Sequence, residues 1–128
     1  MPYTINRTIN DSDFDQVDQR TRQALADHGF GVLTEIDVKA TMKKKLDKDM
    51  PAYRILGACS PKMAWEAIGI EPRVGAMLPC NVILREVPEG IEVSAVDPVA
   101  SMTAIENAKL SEVASEVRDM LSKAVQAI

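Results

Sequence analysis

Two alternating runs leave this chain few ways to fold. Cys80 to Val87 and Ile91 to Val96 are strand-like, and only Pro88-Glu89-Gly90 separates them. A parallel crossover needs a connection of about a dozen residues or more, so these runs pair antiparallel as a hairpin. Asp97-Pro98 follows at once, then a stretch of helical period. Val99, Met102, Ile105, Leu110, Val113, Val117, Met120, Leu121, Ala124 and Ile128 form its apolar stripe. The spacing predicts one long last helix opened by Asp97. Hairpin strands with helix gathered at the chain end define an α+β fold built on a mainly antiparallel sheet.

The earlier chain fits that plan. Residues 3–9 read as a first strand carrying Tyr3, Ile5 and Ile9. Asp11 or Ser12 is placed to cap the next helix, with Asp13 and Asp15 favouring its N-terminal end. Phe14, Val17, Thr21, Ala24, Leu25 and His28 recur on one helical face, and Gly29 stops it. Phe30 to Val38 is a second strand, with Val32, Thr34, Ile36 and Val38 on one side and Leu33, Glu35 and Asp37 on the other. A short helix over residues 39–47 opens at Asp37. Tyr53 to Cys59 is a third strand, its Tyr53, Ile55, Gly57 and Cys59 facing away from Arg54, Leu56 and Ala58. Ser60 with Pro61 starts another helix, ended by Gly69, and Val74 to Leu78 is a short apolar connection or strand.

The chain has 128 residues, which suits a single domain over 1–128 with its own core. Its formal net charge is -4, which argues against a nucleic-acid partner. No run reaches the roughly 20 apolar residues of a membrane span, and the N-terminus lacks a secretory apolar core. Two cysteines make no disulfide framework, so the expected setting is the cytoplasm, with both thiols reduced. No Ser/His/Asp order, nucleotide loop, Cys-x-x-Cys or haem attachment motif occurs. No cofactor and no metal are expected.

Chemistry concentrates in five residues: Glu35, Asp37, Arg54, Cys59 and Cys80. Cys59 lies just before the helix that Ser60 and Pro61 begin. There the helix dipole and Lys62 favour a thiolate. The plainer role is that of a small buried hydrophobe. Cys80 follows Pro79 and shares its face with core residues Val82 and Leu84, so its interest depends on nearness to Cys59. Glu35 and Asp37 share a face that Arg54 can oppose. That arrangement serves either as a polar pocket holding an anion, or as a helix cap plus a Glu35–Arg54 cross-strand ion pair. Lys43, Lys44, Lys45 and Lys48 beside Lys39 read as a solvated helix face. His28 reads as a packing or capping residue, and a zinc site joining it to Cys59 and Cys80 lacks the usual ligand spacing. Met63, Met102 and Met120 sit at core spacing, and Trp65 reads as an anchor of its helix or of a subunit interface.

Four blocks in order resemble the bacterial family called domain of unknown function 302. They are Glu35-Ile36-Asp37-Val38-Lys39, Tyr53 to Cys59, Leu78-Pro79-Cys80-Asn81-Val82, and Asp97-Pro98. The resemblance runs from about Gly29 through the last helix. It implies a TBP-like fold of β-α-β(4)-α type with short helical insertions, commonly a homodimer, and brings no DNA binding with that label. It implies no established activity. Two functions fit the residues. One is a homodimeric binding or accessory domain with a small-molecule ligand near Glu35, Asp37, Arg54, Cys59 and Cys80. The other is a thiol-based redox or sulfur-handling protein using Cys59.

Overall fold

The computed structural model describes residues 2–128. Strand β1 (Thr4–Ile9) leads to helix α1 (Phe14–Asp27), then β2 (Gly31–Asp37), α2 (Val38–Leu46), β3 (Tyr53–Cys59) and α3 (Pro61–Ile70). A 3₁₀ segment (Pro72–Met77) precedes the hairpin of β4 (Cys80–Val87) and β5 (Gly90–Val96). A four-residue helix α4 (Pro98–Ser101) and the long α5 (Ala108–Gln126) close the chain. The strands form one antiparallel sheet in the order β1-β5-β4-β3-β2. The α+β class and the hairpin expected from the sequence are both present.

Helix boundaries follow local hydrogen bonding. Asp13, not Asp11 or Ser12, caps α1: its carboxylate accepts from Gln16 N–H at 2.9 Å, and Gln16 Oε1 accepts from Asp13 N–H at 3.0 Å. Asp11 and Ser12 instead accept from Arg20 at 3.0 and 2.9 Å. Gly69 does not end α3, which runs on to Ile70, and Val74 lies in the 3₁₀ segment rather than a strand. The single long last helix is really two. Asp97 Oδ1 accepts from Val99 N–H at 2.9 Å and opens only α4. Asn107 Oδ1 then takes the Lys109 and Leu110 amides at 3.0 and 3.2 Å and starts α5. Ile105 and Leu110, read in the sequence as one stripe, stand five positions apart and so fall on different faces of a continuous helix.

Helices α1 and α5 pack on one sheet face. Ile9, Leu56, Ala58, Cys80, Val82, Leu84, Ile91, Val93 and Ala95 meet Val17 and Leu25 of α1 and Val117, Leu121, Ala124 and Val125 of α5. Each fully buried Leu or Val of this layer contributes about 1.5–3 kcal/mol. A second cluster, Ala67, Val74, Met102, Leu110 and Ala114, joins α3, the 3₁₀ segment and α4 to α5. Arg7 ties the chain end to β1, donating to the carbonyls of Gln126 and Ile128 at 2.7 and 2.5 Å.

One irregularity rearranges β2. Val32 pairs with Ala58 and Thr34 with Gly57, which leaves Leu33 bulged out and exposed. The alternation therefore flips within the strand. Val32 shares the helix-side face with Glu35 and Asp37, while Thr34 and Ile36 turn to the opposite face. The single face expected for Val32, Thr34 and Ile36 is thus split by one extra residue.

Candidate functional site

Cys59 ends β3, and Cys80 begins β4 directly after a cis Leu78–Pro79 peptide. Ala58 and Cys80 are cross-strand partners, so Cys59 lies one residue beyond Cys80's neighbour. Both cysteines are free; Cys80 is buried and Cys59 half-buried. Ser60 holds the N-cap position of α3 with Pro61 after it, although its hydroxyl makes no capping hydrogen bond.

The two cysteines border one cavity of about 30 Å³ between the sheet end, α3 and α5. That is room for one or two water-sized bodies. Phe30, Leu78, Leu110 and Val117 contribute apolar wall, and Met63 and Met102 add two thioethers. No charged side chain lines it. Burial, and secondarily the neighbouring Cys59, push the Cys80 thiol up to about 11. The sequence had marked Met63 and Met102 as core alone. Both are indeed buried, and both also face this space.

The polar residues lie elsewhere. Arg54 is the second residue of the strand that Cys59 ends, roughly 17 Å away at strand rise. Arg54 does not pair with Glu35. Its Nη1 donates to Asp18 Oδ2 at 2.9 Å, and its guanidinium stacks over Phe14 at 5.0 Å from the ring centroid. Asp18 Oδ1 accepts from Arg22 Nε at 2.7 Å, and Arg22 reaches on to Glu35. Glu35, Arg22, Asp18 and Arg54 thus alternate in charge and sum to zero. Asp37 caps α2, accepting from Ala40 N–H at 2.9 Å. The five sequence candidates therefore divide between a cysteine cavity and a polar clasp that fastens α1 to β2 and β3. Asp18 is the member the sequence reading missed. Its signals were the i,i+4 spacing to Arg22 and a place beside Val17 on the buried face of α1.

The family model described as Domain of unknown function DUF302 matches residues 5–128. The chain belongs to the DUF302 family. A crystal structure of an uncharacterized conserved DUF302 protein from Bacillus stearothermophilus superposes with a TM-score of 0.93. Identity is 19%, covering 99% of this chain and 98% of that one, a likeness of fold. No curated protein matches.

Other candidates take plainer places in this DUF302 chain. His28 ends α1 with Nδ1 2.8 Å from the Ala24 carbonyl oxygen, a capping position. Lys43 pairs with Asp47 at 2.9 Å and Asp49 at 3.3 Å on the exposed α2, and Lys44, Lys45 and Lys48 are exposed too. Trp65 does not anchor α3 to the core; it is 82% exposed. Among the described residues no three His, Cys, Asp or Glu side chains converge as a metal site. No helix there is long and apolar enough to cross a membrane.

Proposed function

We propose that this chain is a small-ligand-binding or accessory domain of the cytoplasm whose ligand site is the cavity between Cys59 and Cys80. The carrying observation is one apolar cavity bordered by both thiols. Water is a poor occupant, because a buried water wants two to four polar partners. The polar clasp does not compete for the role, since its charges already satisfy one another. A thiol–disulfide function is the weaker reading. Such chemistry runs through thiolates, and burial holds Cys80 in its neutral form.

Small fragments of a few heavy atoms test the reading by thermal shift. At least one should raise the melting temperature of the native chain and leave Ala64→Leu unmoved, because Ala64 borders the cavity and the larger side chain fills it. At 100 times its Kd a ligand adds about 2.7 kcal/mol, a shift easily seen. Ala114→Val is a second filling variant should the first perturb α3. Equal shifts in native and filled chains, or none in either, sink the proposal.

The domain is also proposed to act as a homodimer. Support comes from the sheet face opposite α1 and α5. It carries Tyr53, Ile55 and Ile83 half-buried and Ile36 49% exposed. A groove of about 370 Å³ on that face runs past Tyr53, Ile83 and Arg85. Light scattering should return about 28 kDa, twice the 14.0 kDa chain. A monomer mass at micromolar concentration contradicts it.

A further inference from the structure

We infer that the cavity is a binding site for a soft monovalent metal ion, Cu(I), held by sulfur alone. This rests on the proposed ligand site and names its occupant. Four sulfur-bearing side chains from four parts of the fold border one space. They are Cys59 at the end of β3, Met63 on α3, Cys80 at the start of β4, and Met102 just after α4. Together they account for both cysteines of the chain and two of its seven methionines. No disulfide ties the thiols up. The register of β3 with β4 sets Cys59 one residue beyond the cross-strand neighbour of Cys80.

Donor chemistry selects the ion. Thiolate and thioether ligands suit Cu(I), whereas imidazole and carboxylate ligands suit zinc, iron and the hard cations. The lining offers neither imidazole nor carboxylate. A structural zinc site takes four Cys, His or carboxylate ligands, and only two such residues are here. Charge and size agree with this choice. One thiolate neutralises one monovalent cation, so the filled cavity carries no net charge among apolar walls. The space of about 30 Å³ matches a single ion rather than a larger ligand.

Binding is proton exchange with no change of oxidation state. The metal–sulfur bond forms as one cysteine S–H bond breaks, and its proton leaves to water. The thioethers donate lone pairs and lose nothing, and the buried Cys80 stays a neutral thiol at the wall beside the ion. Affinity therefore falls as pH falls, as for any site whose ligand must lose a proton. Cys59, half-buried, offers the entry side, and the buried Cys80 closes the site.

The probe is Cu(I) itself, titrated without oxygen into the reduced chain against a coloured Cu(I) chelator. One equivalent per chain should be withdrawn from the chelator, and zinc at the same concentration should not compete. Cys59→Ser should abolish the withdrawal, and Cys80→Ser should weaken it. Met63→Leu with Met102→Leu keeps core volume nearly unchanged. That double variant should weaken binding by about 10–100-fold. X-ray absorption of the loaded chain should show sulfur neighbours only. Far-ultraviolet circular dichroism of each metal-free variant verifies its fold. If Cys80→Ser is unfolded, the methionine variant and the absorption spectrum decide by themselves. No withdrawal by the native chain, retention in Cys59→Ser, or an unchanged affinity in the methionine variant overturns the inference. If Cu(I) fails while fragments still distinguish native chain from Ala64→Leu, the metal assignment falls and the cavity reading stands. If both fail, both fall.

Discussion

Asp18→Ala is expected to destabilise the fold by about 3–5 kcal/mol, the cost of stripping one partner from a buried ion pair. Asp18 is 7% exposed and accepts from both Arg22 and Arg54. Its loss leaves Arg54 charged beneath Phe14, where the Arg54 Nε is already buried without a partner. The network also changes from neutral to a net charge of +1, counting Arg22 and Arg54 against Glu35 alone. Glu35→Gln should cost far less, about 0–1 kcal/mol, because Glu35 meets Arg22 at the surface. Urea unfolding at neutral pH measures both. The double variant Asp18→Ala with Arg54→Met should recover much of the loss, since neither charge then remains unpaired. A cost under about 1 kcal/mol for Asp18→Ala contradicts the clasp, as that is the value of an exposed pair. Equal costs for Asp18→Ala and Glu35→Gln contradict it too.

That clasp marks the limit of what the sequence could tell. The strands and the hairpin were legible, because alternation and a short Gly-containing connection are local signals. Caps were legible only to within a residue or two. Asp11, Ser12 and Asp13 are all competent N-caps, and the winner was settled by Gln16 reaching back to Asp13. The Leu33 bulge was not legible, because nothing in Val32-Leu33-Thr34 records that one residue will be skipped in pairing with Ala58 and Gly57. Its consequence is large, since it decides which side chains Glu35 and Ile36 meet. Glu35 and Arg54 were correctly placed on neighbouring strands. Their partners came from α1, a distant element that a strand-by-strand reading does not bring near. The cavity illustrates the same limit. Cys59 and Cys80 drew notice as unusual residue types, whereas Met63 and Met102 matched a core pattern and so gave no signal of their own. Pairing of β3 with β4 brings the two cysteines together, and packing of α3 and α4 against α5 adds the two methionines.

The second large effect is a loss of stability in alkali that depends on Cys80. Burial raises its thiol from an ordinary 9.0 to about 11 in the folded chain. The folded state therefore holds this proton more tightly than the unfolded state does. Stability from the neutral thiol is complete below pH 9 and drains away as pH climbs from 9 to 11. Two units at 1.36 kcal/mol each give a total of about 2–3 kcal/mol. The thiol is buried, so solvent screening removes little of it. Cys59, also on the cavity wall, is the second and smaller cause of the same upward shift. Tyrosines and lysines elsewhere also titrate in this range, so the useful quantity is a difference. Urea unfolding of metal-free native chain and of Cys80→Ala should be compared at pH 8, 9, 10 and 11. The variant starts less stable because it leaves a small void. The gap should then narrow by about 2 kcal/mol across the series, as only the native chain loses a buried neutral thiol. A gap that stays constant with pH means that Cys80 ionises as freely in the fold as outside it. The walls around it would then not be the dry, apolar enclosure that both the ligand and the metal readings require.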